Sequence, residues 1–431
     1  VTRRFYGRSF ADPWAALFWD GPDLCCGVAG RRADLIKLLW EEGVLDGLGS
    51  LGLLADVEPA ADLAAEFPLV LRLRRPFRVS YCFEWCAEMW RAAALHMLDL
   101  LGALAGLGLT LQEPRPEHLL FDGPRPVYLN PGSITHLTAL TFRGSVERLS
   151  ASLLRPLALG RSGQAGTARG LLRGVEQGLG AGVSTEDERA AEKIGNWLET
   201  LSPDECLRAL RDEVAGLRIE DAESPWSDYY GGDAPLSPAP GWSRKQLEVH
   251  RVLTELRPAS ALDLACNVGW YARLAEAAGA EVVAVDFDET CVNRLYRRVR
   301  EEGTRVLPLT FDLNDPAPGF GVGNGWFPPA SERLASDLVL ALAVSHHLVL
   351  AGARLTFEEL VRAFAPFSRR WLLTEFVPFD SPGMIYTPGQ RPGSAGWYNL
   401  EAFVAAFGAE FRTVTLLPGG DRERRLVLCE R

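Results

Sequence analysis

From Trp242 onward the chain alternates short β-branched or apolar runs with amphipathic stretches, and this alternation restricts the fold more than any other feature. Runs of that kind, separated by helical lengths of chain, form a parallel sheet covered by helices. They predict strands at 259–265, 281–286, 305–309, 337–343, 371–377, 411–416 and 425–429. Gly279 is placed to stop a helix over 270–278, and Thr356 with Glu359 forms the capping box of a later one. Only Pro418-Gly419-Gly420-Asp421 separates the last two strands, too little chain for a parallel crossover, so this pair is antiparallel.

A length of 431 residues predicts two or three domains. A Pro-, Gly- and Ser-rich stretch at 224–242 marks a boundary, and a Gly-rich, weakly periodic segment at 160–182 precedes a helix start at Thr185-Glu186-Asp187-Glu188. The resulting division is a first domain at 1–155, a helical connector at 156–223, a linker or lid at 224–241, and a last domain at 242–431. Acidic residues outnumber basic ones 56 to 45, a net charge of -11, which argues against a nucleic-acid partner. Lys37, Lys193 and Lys245 are the only lysines, a bias that a GC-rich genome explains. The N-terminal residues lack the pattern of a secretory signal. The apolar stretch 92–111 is interrupted by His96 and Asp99 and reads as a buried helix, so no membrane partner is expected. Eight scattered cysteines without a CxxC pair suit a reduced, cytoplasmic protein, and Cys82, Cys86 and His96 read as helix-face packing, not a metal site. The run Gly319 to Gly325 follows two prolines and precedes no clear helix; it reads as a flexible loop.

The most informative stretch is Ala261-Leu262-Asp263-Leu264-Ala265-Cys266-Asn267-Val268-Gly269, followed by a helix and then Val282-Val283-Ala284-Val285-Asp286. Asp286 ends the second strand 17 residues beyond Gly269 (269 to 286), near the ~20 of a ribose-binding carboxylate. Small residues at the first turn let a nucleoside approach the backbone, and a carboxylate accepts both ribose hydroxyls. This segment resembles motif I of the class I S-adenosylmethionine (SAM) dependent methyltransferases, commonly D-x-G-x-G-x-G, with Asp286 as their acidic second motif. Two motif glycines are replaced by Ala265 and Asn267, and Gly269 is retained. Ala265 still permits close approach, and Asn267 tolerates positive φ. The resemblance implies a Rossmann-like α/β domain, a mostly parallel seven-stranded sheet ending in an antiparallel hairpin. It implies SAM as cofactor, held by Asp263, Ala265, Asn267, Gly269, Asp286, Phe287, Asp312, Leu313 and Ala343, with Asp312 at the adenine amine. A dehydrogenase is the competing reading, but its diphosphate needs all three glycines.

On the acceptor side, His346 and His347 end the fourth strand, where ligands bind in open α/β sheets, and are the catalytic candidates. Glu375, at the end of the fifth strand, is either an acceptor contact or a buried hydrogen-bond partner. Trp226, Tyr229 and Tyr230 precede the domain and are candidates for a lid that binds substrate, the alternative being linker aromatics anchored on the domain surface. No metal is expected.

Upstream, the order of residues in 110–133 resembles the catalytic-to-metal loop of protein kinases. Glu113 stands for the catalytic Asp, His118 for the metal-binding Asn, and Asn130-Pro131-Gly132 for Asp-Phe-Gly. Every catalytic position is changed and no phosphate-pairing lysine is evident, so the resemblance implies a degenerate α+β kinase-like domain without phosphoryl transfer. Such a front end joined to this transferase resembles natural-product tailoring enzymes, including those that esterify the C-terminal carboxylate of lasso-type peptides. The leading expectation is O-methylation of a peptide carboxylate. The alternatives are O-methylation of a small-molecule hydroxyl and a non-catalytic binding protein.

Overall fold

The computed structural model describes residues 4–7, 9, 12–60, 63, 67–74, 78–173, 185–227, 235–351, 353–379, 381, 396–419 and 424–431, without the side chains of 185–188. The chain divides into two compact units, one of residues 1–222 with 319–328 and the other of 223–318 with 329–431. The last sequence-read domain, 242–431, is thus interrupted by ten residues that cluster with the first unit.

In the first unit, β1 (Arg4–Phe5), β2 (Ala15–Asp20), β3 (Asp23–Val28), β4 (Val57–Pro59) and β5 (Leu69–Leu73) form an antiparallel sheet of order β1-β2-β3-β5-β4. Phe18, Cys25 and Val70 are buried on it, and the Phe67 ring stacks on Phe18 at 5.9 Å. The helix Gly30–Glu41 lies between β3 and β4 in the chain. The long helix Ala87–Ala105 follows, with Trp90, Ala93, Met97 and Leu101 buried along one face at helical spacing. Two small antiparallel pairs come next, β6 (Leu109–Leu111) with β9 (Ile134–His136) and β7 (Leu119–Asp122) with β8 (Arg125–Tyr128). Cys82 and Cys86 sit in the turn ahead of the long helix, both buried, so the helix-face reading of that pair is corrected. The Gly319–Gly325 run is a loop with an exposed tip, closed at its base by aromatic packing. Phe320 and Phe327 pair across it and stack at 4.0 Å, Tyr81 packs edge-on to both, and the Tyr81 hydroxyl donates to Pro328 O. Among the described residues no helix is long and apolar enough to cross a membrane.

The second unit holds β10 (Ser260–Leu264), β11 (Glu281–Asp286), β12 (Leu307–Thr310), β13 (Ser336–Ala341), β14 (Ser368–Phe376), β15 (Thr413–Pro418) and β16 (Arg425–Glu430). The sheet order is β12-β11-β10-β13-β14-β16-β15, with parallel pairing up to β14 and antiparallel pairing at β16. This is the mostly parallel Rossmann-like sheet with a terminal antiparallel hairpin expected from the sequence. The hairpin tip at 420–423 lies outside the described residues. The central strands are buried on both faces, which is why they read as unbroken apolar runs. The strand order reverses between β10 and β13, and the carboxyl ends at such a switch point are where ligands bind in open α/β sheets.

Candidate functional site

Three alternate residues of the turn after β10 adopt positive φ: Ala265 at 57°, Asn267 at 56° and Gly269 at 76°. These are the positions that carry glycine in the motif, and the conformation persists where two side chains have replaced it. Gly269 cannot be replaced in the same way, because a Cβ there would stand 2.4 Å from Leu295 Cδ1. Backbone strain and overpacking add, so Gly269→Ala is expected to destabilise the second unit by about 2–4 kcal/mol, read as a lowered thermal midpoint. An unchanged midpoint would contradict this packing.

Asp286 clasps that turn. Its Oδ2 accepts from Asn267 N at 2.7 Å and its Oδ1 from Asp288 N at 2.9 Å. Burial pushes its carboxyl up to about 6, against the pull of those two backbone donors. Asp263, inside β10, is 3% exposed, and its Oδ2 has no hydrogen-bond partner. Burial, and then the charge of Asp286, raise its carboxyl to about 8, while Lys245 acts in the opposite direction. Two neighbouring carboxyls held above their ordinary range suit a cationic ligand.

Trp226 lies beside the same turn. Asn267 Nδ2 donates to its carbonyl at 2.7 Å, and its ring packs edge-on to His347 at 5.2 Å. Ser224, which donates to Asp288 and accepts from Trp226 N, ties the segment to the loop after β11. Tyr229 and Tyr230 lie outside the described residues. Phe287 is 58% exposed, Asp312 is exposed, and Leu313 is half-buried. Asp312 Oδ1 accepts from Asn314 N and Nδ2.

Beyond β13, Ala343 has a φ of 55° and its N–H donates to Glu375 Oε2 at 2.9 Å. The His346 and His347 rings lie 4.0 Å apart with their planes tilted by 39°, and His347 opens a single π-helical turn. His346 is 6% exposed, with Nδ1 lacking a hydrogen-bond partner. Burial lowers it to about 3, with His347, Arg424 and Lys245 adding to the shift; burial also lowers His347. Glu375 is wholly buried, and besides Ala343 N it takes Lys245 Nζ at 2.5 Å. Its carboxylate therefore faces protein cations, with Arg424 at 3.7 Å. Sequence reasoning missed Lys245 and Arg424. Among the described residues no three metal-ligating side chains converge.

No protein-family model matches the chain. It is 25% identical over 409 residues to the nodulation protein NoeA of Rhizobium meliloti (strain 1021), covering 85% of this chain and 84% of that one. Among solved structures it is similar to magnesium protoporphyrin IX methyltransferase from Synechocystis PCC 6803 with bound SAM. That match has 17% identity over 43% of this chain and 78% of that chain, with a TM-score of 0.29. It is also similar to the bifunctional kinase-methyltransferase WbdD, at 18% identity over 42% of this chain and 37% of that chain, with a TM-score of 0.31.

Proposed function

We propose that the second unit binds SAM and transfers its methyl group to an oxygen of a peptide carboxylate. The observation that carries this reading is Asp286, which closes the end of β11 onto a turn of three alternate positive φ residues, beside the buried and unpartnered oxygen of Asp263. These residues fit the cofactor. Asp286 would accept the ribose hydroxyls, Asp263 would face the methionine ammonium, and the tight turn would bring backbone close to the ligand. Bound SAM would supply an electrophilic methyl group.

The chain's own task is then to orient an acceptor and exclude water. Trp226, tied to both Asn267 and the loop after β11, is suited to the second part. For the first, proton affinity is informative. A phenol near pKa 10 would have to give its proton to an imidazole held at about 3, uphill by roughly 7 units, whereas a carboxylate is already ionised at neutral pH. Burial holds both His346 and His347 below the ordinary imidazole range, so a carboxylate, which needs no base, suits this edge better than a hydroxyl.

The first unit is read as a kinase-like module that engages the acceptor without phosphoryl transfer. Its five-stranded sheet, the helix between β3 and β4 and the long helix Ala87–Ala105 support the resemblance. Its chemistry is spent on packing. Glu113 is held by Arg115 and Arg148, the buried His118 ring bonds Glu113 O, and Cys26 donates to the buried Asn130. A Cβ on Gly132 would stand 2.4 Å from Ala15, so this backbone sits directly against β2.

Methyl-tritiated SAM, incubated with the protein and peptides bearing either free or amidated C-termini, tests the reaction. Label is expected on the free-carboxylate peptides alone and should be released as methanol by mild base. Base-stable label would favour the hydroxyl acceptor instead. SAM binding with no transfer to any acceptor would favour a binding protein.

A further inference from the structure

Three distant parts of the chain meet at the carboxyl edge of the second unit's sheet. The helix Arg244–Leu256 runs opposite to β10, which follows it, so its first turn, with Lys245, lies at the edge where β10 ends. Glu375 comes from the end of β14. Arg424 immediately precedes β16, and antiparallel pairing of Phe376 with Arg425 brings the start of that strand to the same edge.

The three side chains are unequal. Glu375 is fully buried, Lys245 is 13% exposed and bonded to it, and Arg424 is 23% exposed at 3.7 Å, beyond hydrogen-bond range. Glu375 Oε1 accepts no hydrogen bond. Two cations around one carboxylate leave one positive charge while Asp263, the other carboxyl coupled to Lys245, stays protonated, and the neutral His346 does not cancel it. A positive site with low-dielectric walls concentrates field on an anion, and a guanidinium offers a carboxylate two parallel donors. A hydroxyl would gain little there.

We propose that Arg424, backed by Glu375 and Lys245, is the subsite that binds the carboxylate of the methyl acceptor. This rests on the methyl-transfer reading, with Glu375 acting as a positioning residue that holds Lys245 by a hydrogen bond and faces Arg424 as its counter-charge, and Arg424 as the group that touches substrate. His346, with its unpartnered and buried Nδ1, lies within the field of both cations and reports on the site.

Acetate serves as the probe. The 431-residue chain carrying 15N-labelled histidine is titrated with acetate, and the His346 ring signals are identified by their loss in His346→Gln. Acetamide, the neutral isostere, and chloride at matched ionic strength are the controls. A saturable shift with acetate alone is expected, at least fivefold smaller in Arg424→Gln and partly restored in Arg424→Lys. The proposal is overturned by an absent shift, by an equal response to acetamide or chloride, or by an undiminished response in a folded Arg424→Gln. Calorimetry of the wild-type protein with SAM reads the methyl-transfer assignment separately. A failure there leaves the acetate result to decide the anion subsite by itself.

Discussion

Replacing Asp286 with Ala is expected to weaken SAM binding by about 100-fold or more, since a hydrogen bond to a charged group contributes ~1.5–3 kcal/mol and a ribose offers two. A second effect has the same sign. Asp286 is the acceptor for Asn267 N and Asp288 N, so its removal leaves two backbone donors unpaired and loosens the turn that faces the ligand. Asp286→Asn separates the contributions, because its amide oxygen still accepts one of those donors while the charge is gone. It should fall between wild type and Asp286→Ala in calorimetry with SAM and with its demethylated product. Near-ultraviolet circular dichroism of both variants checks that the core around β10 and β11 persists. A loss below threefold in a folded Asp286→Ala would remove the basis for the nucleoside pocket.

The sheet was legible because burial on both faces leaves a plain signal. All seven expected strands are present, with Glu281–Asp286 matching in both bounds and β14 starting three residues earlier than expected. The turn was legible in part, since Asn267 and Gly269 tolerate positive φ, whereas the positive φ of Ala265 has no local signal in the sequence. The acceptor edge was hidden for a topological reason. Lys245 precedes β10 and Arg424 follows the hairpin, so no local spacing connects either of them to Glu375. One clue did exist, as Lys245 is one of three lysines in a chain whose cations are otherwise arginine. The antiparallel direction of the last strand, already evident from the four residues before it, would have placed its first residues at the same edge. Glu375 shows the limit of position alone, because the end of a strand in such a sheet can face the crevice or the interior, and here the carboxylate is interior. The glycine-rich 319–325 run reads as a loop from composition, which gives no sign that Phe320 and Phe327 stack at its base.

Binding of SAM should release close to one proton per site below pH 7, and Asp263→Asn should abolish most of that release. Burial, reinforced by Asp286, holds the Asp263 carboxyl at about 8, so near neutrality the free protein keeps it protonated in roughly nine molecules of ten. An ammonium beside its unpartnered oxygen favours the ionised form, and linkage then requires the proton to leave. Affinity should therefore rise by up to about tenfold per pH unit from pH 6 to 8 and level off above. Asp286, at about 6, adds a smaller dependence at the lower end, and Lys245 works against the upward shift of Asp263 without reversing it. Stability of the unliganded protein carries the opposite slope. A carboxyl whose folded pKa lies above its unfolded value near ~4 binds more protons when folded, so its contribution declines as pH rises through 8. Calorimetry repeated at one pH in buffers of different ionisation enthalpy counts the protons. Adenosine, which lacks both the ammonium and the sulfonium, should release almost none, and in Asp263→Asn the affinity profile should flatten above pH 7. If SAM and adenosine release equal numbers of protons, or Asp263→Asn retains the wild-type profile, the cation does not sit against Asp263 and the ligand's orientation in the crevice must be reversed.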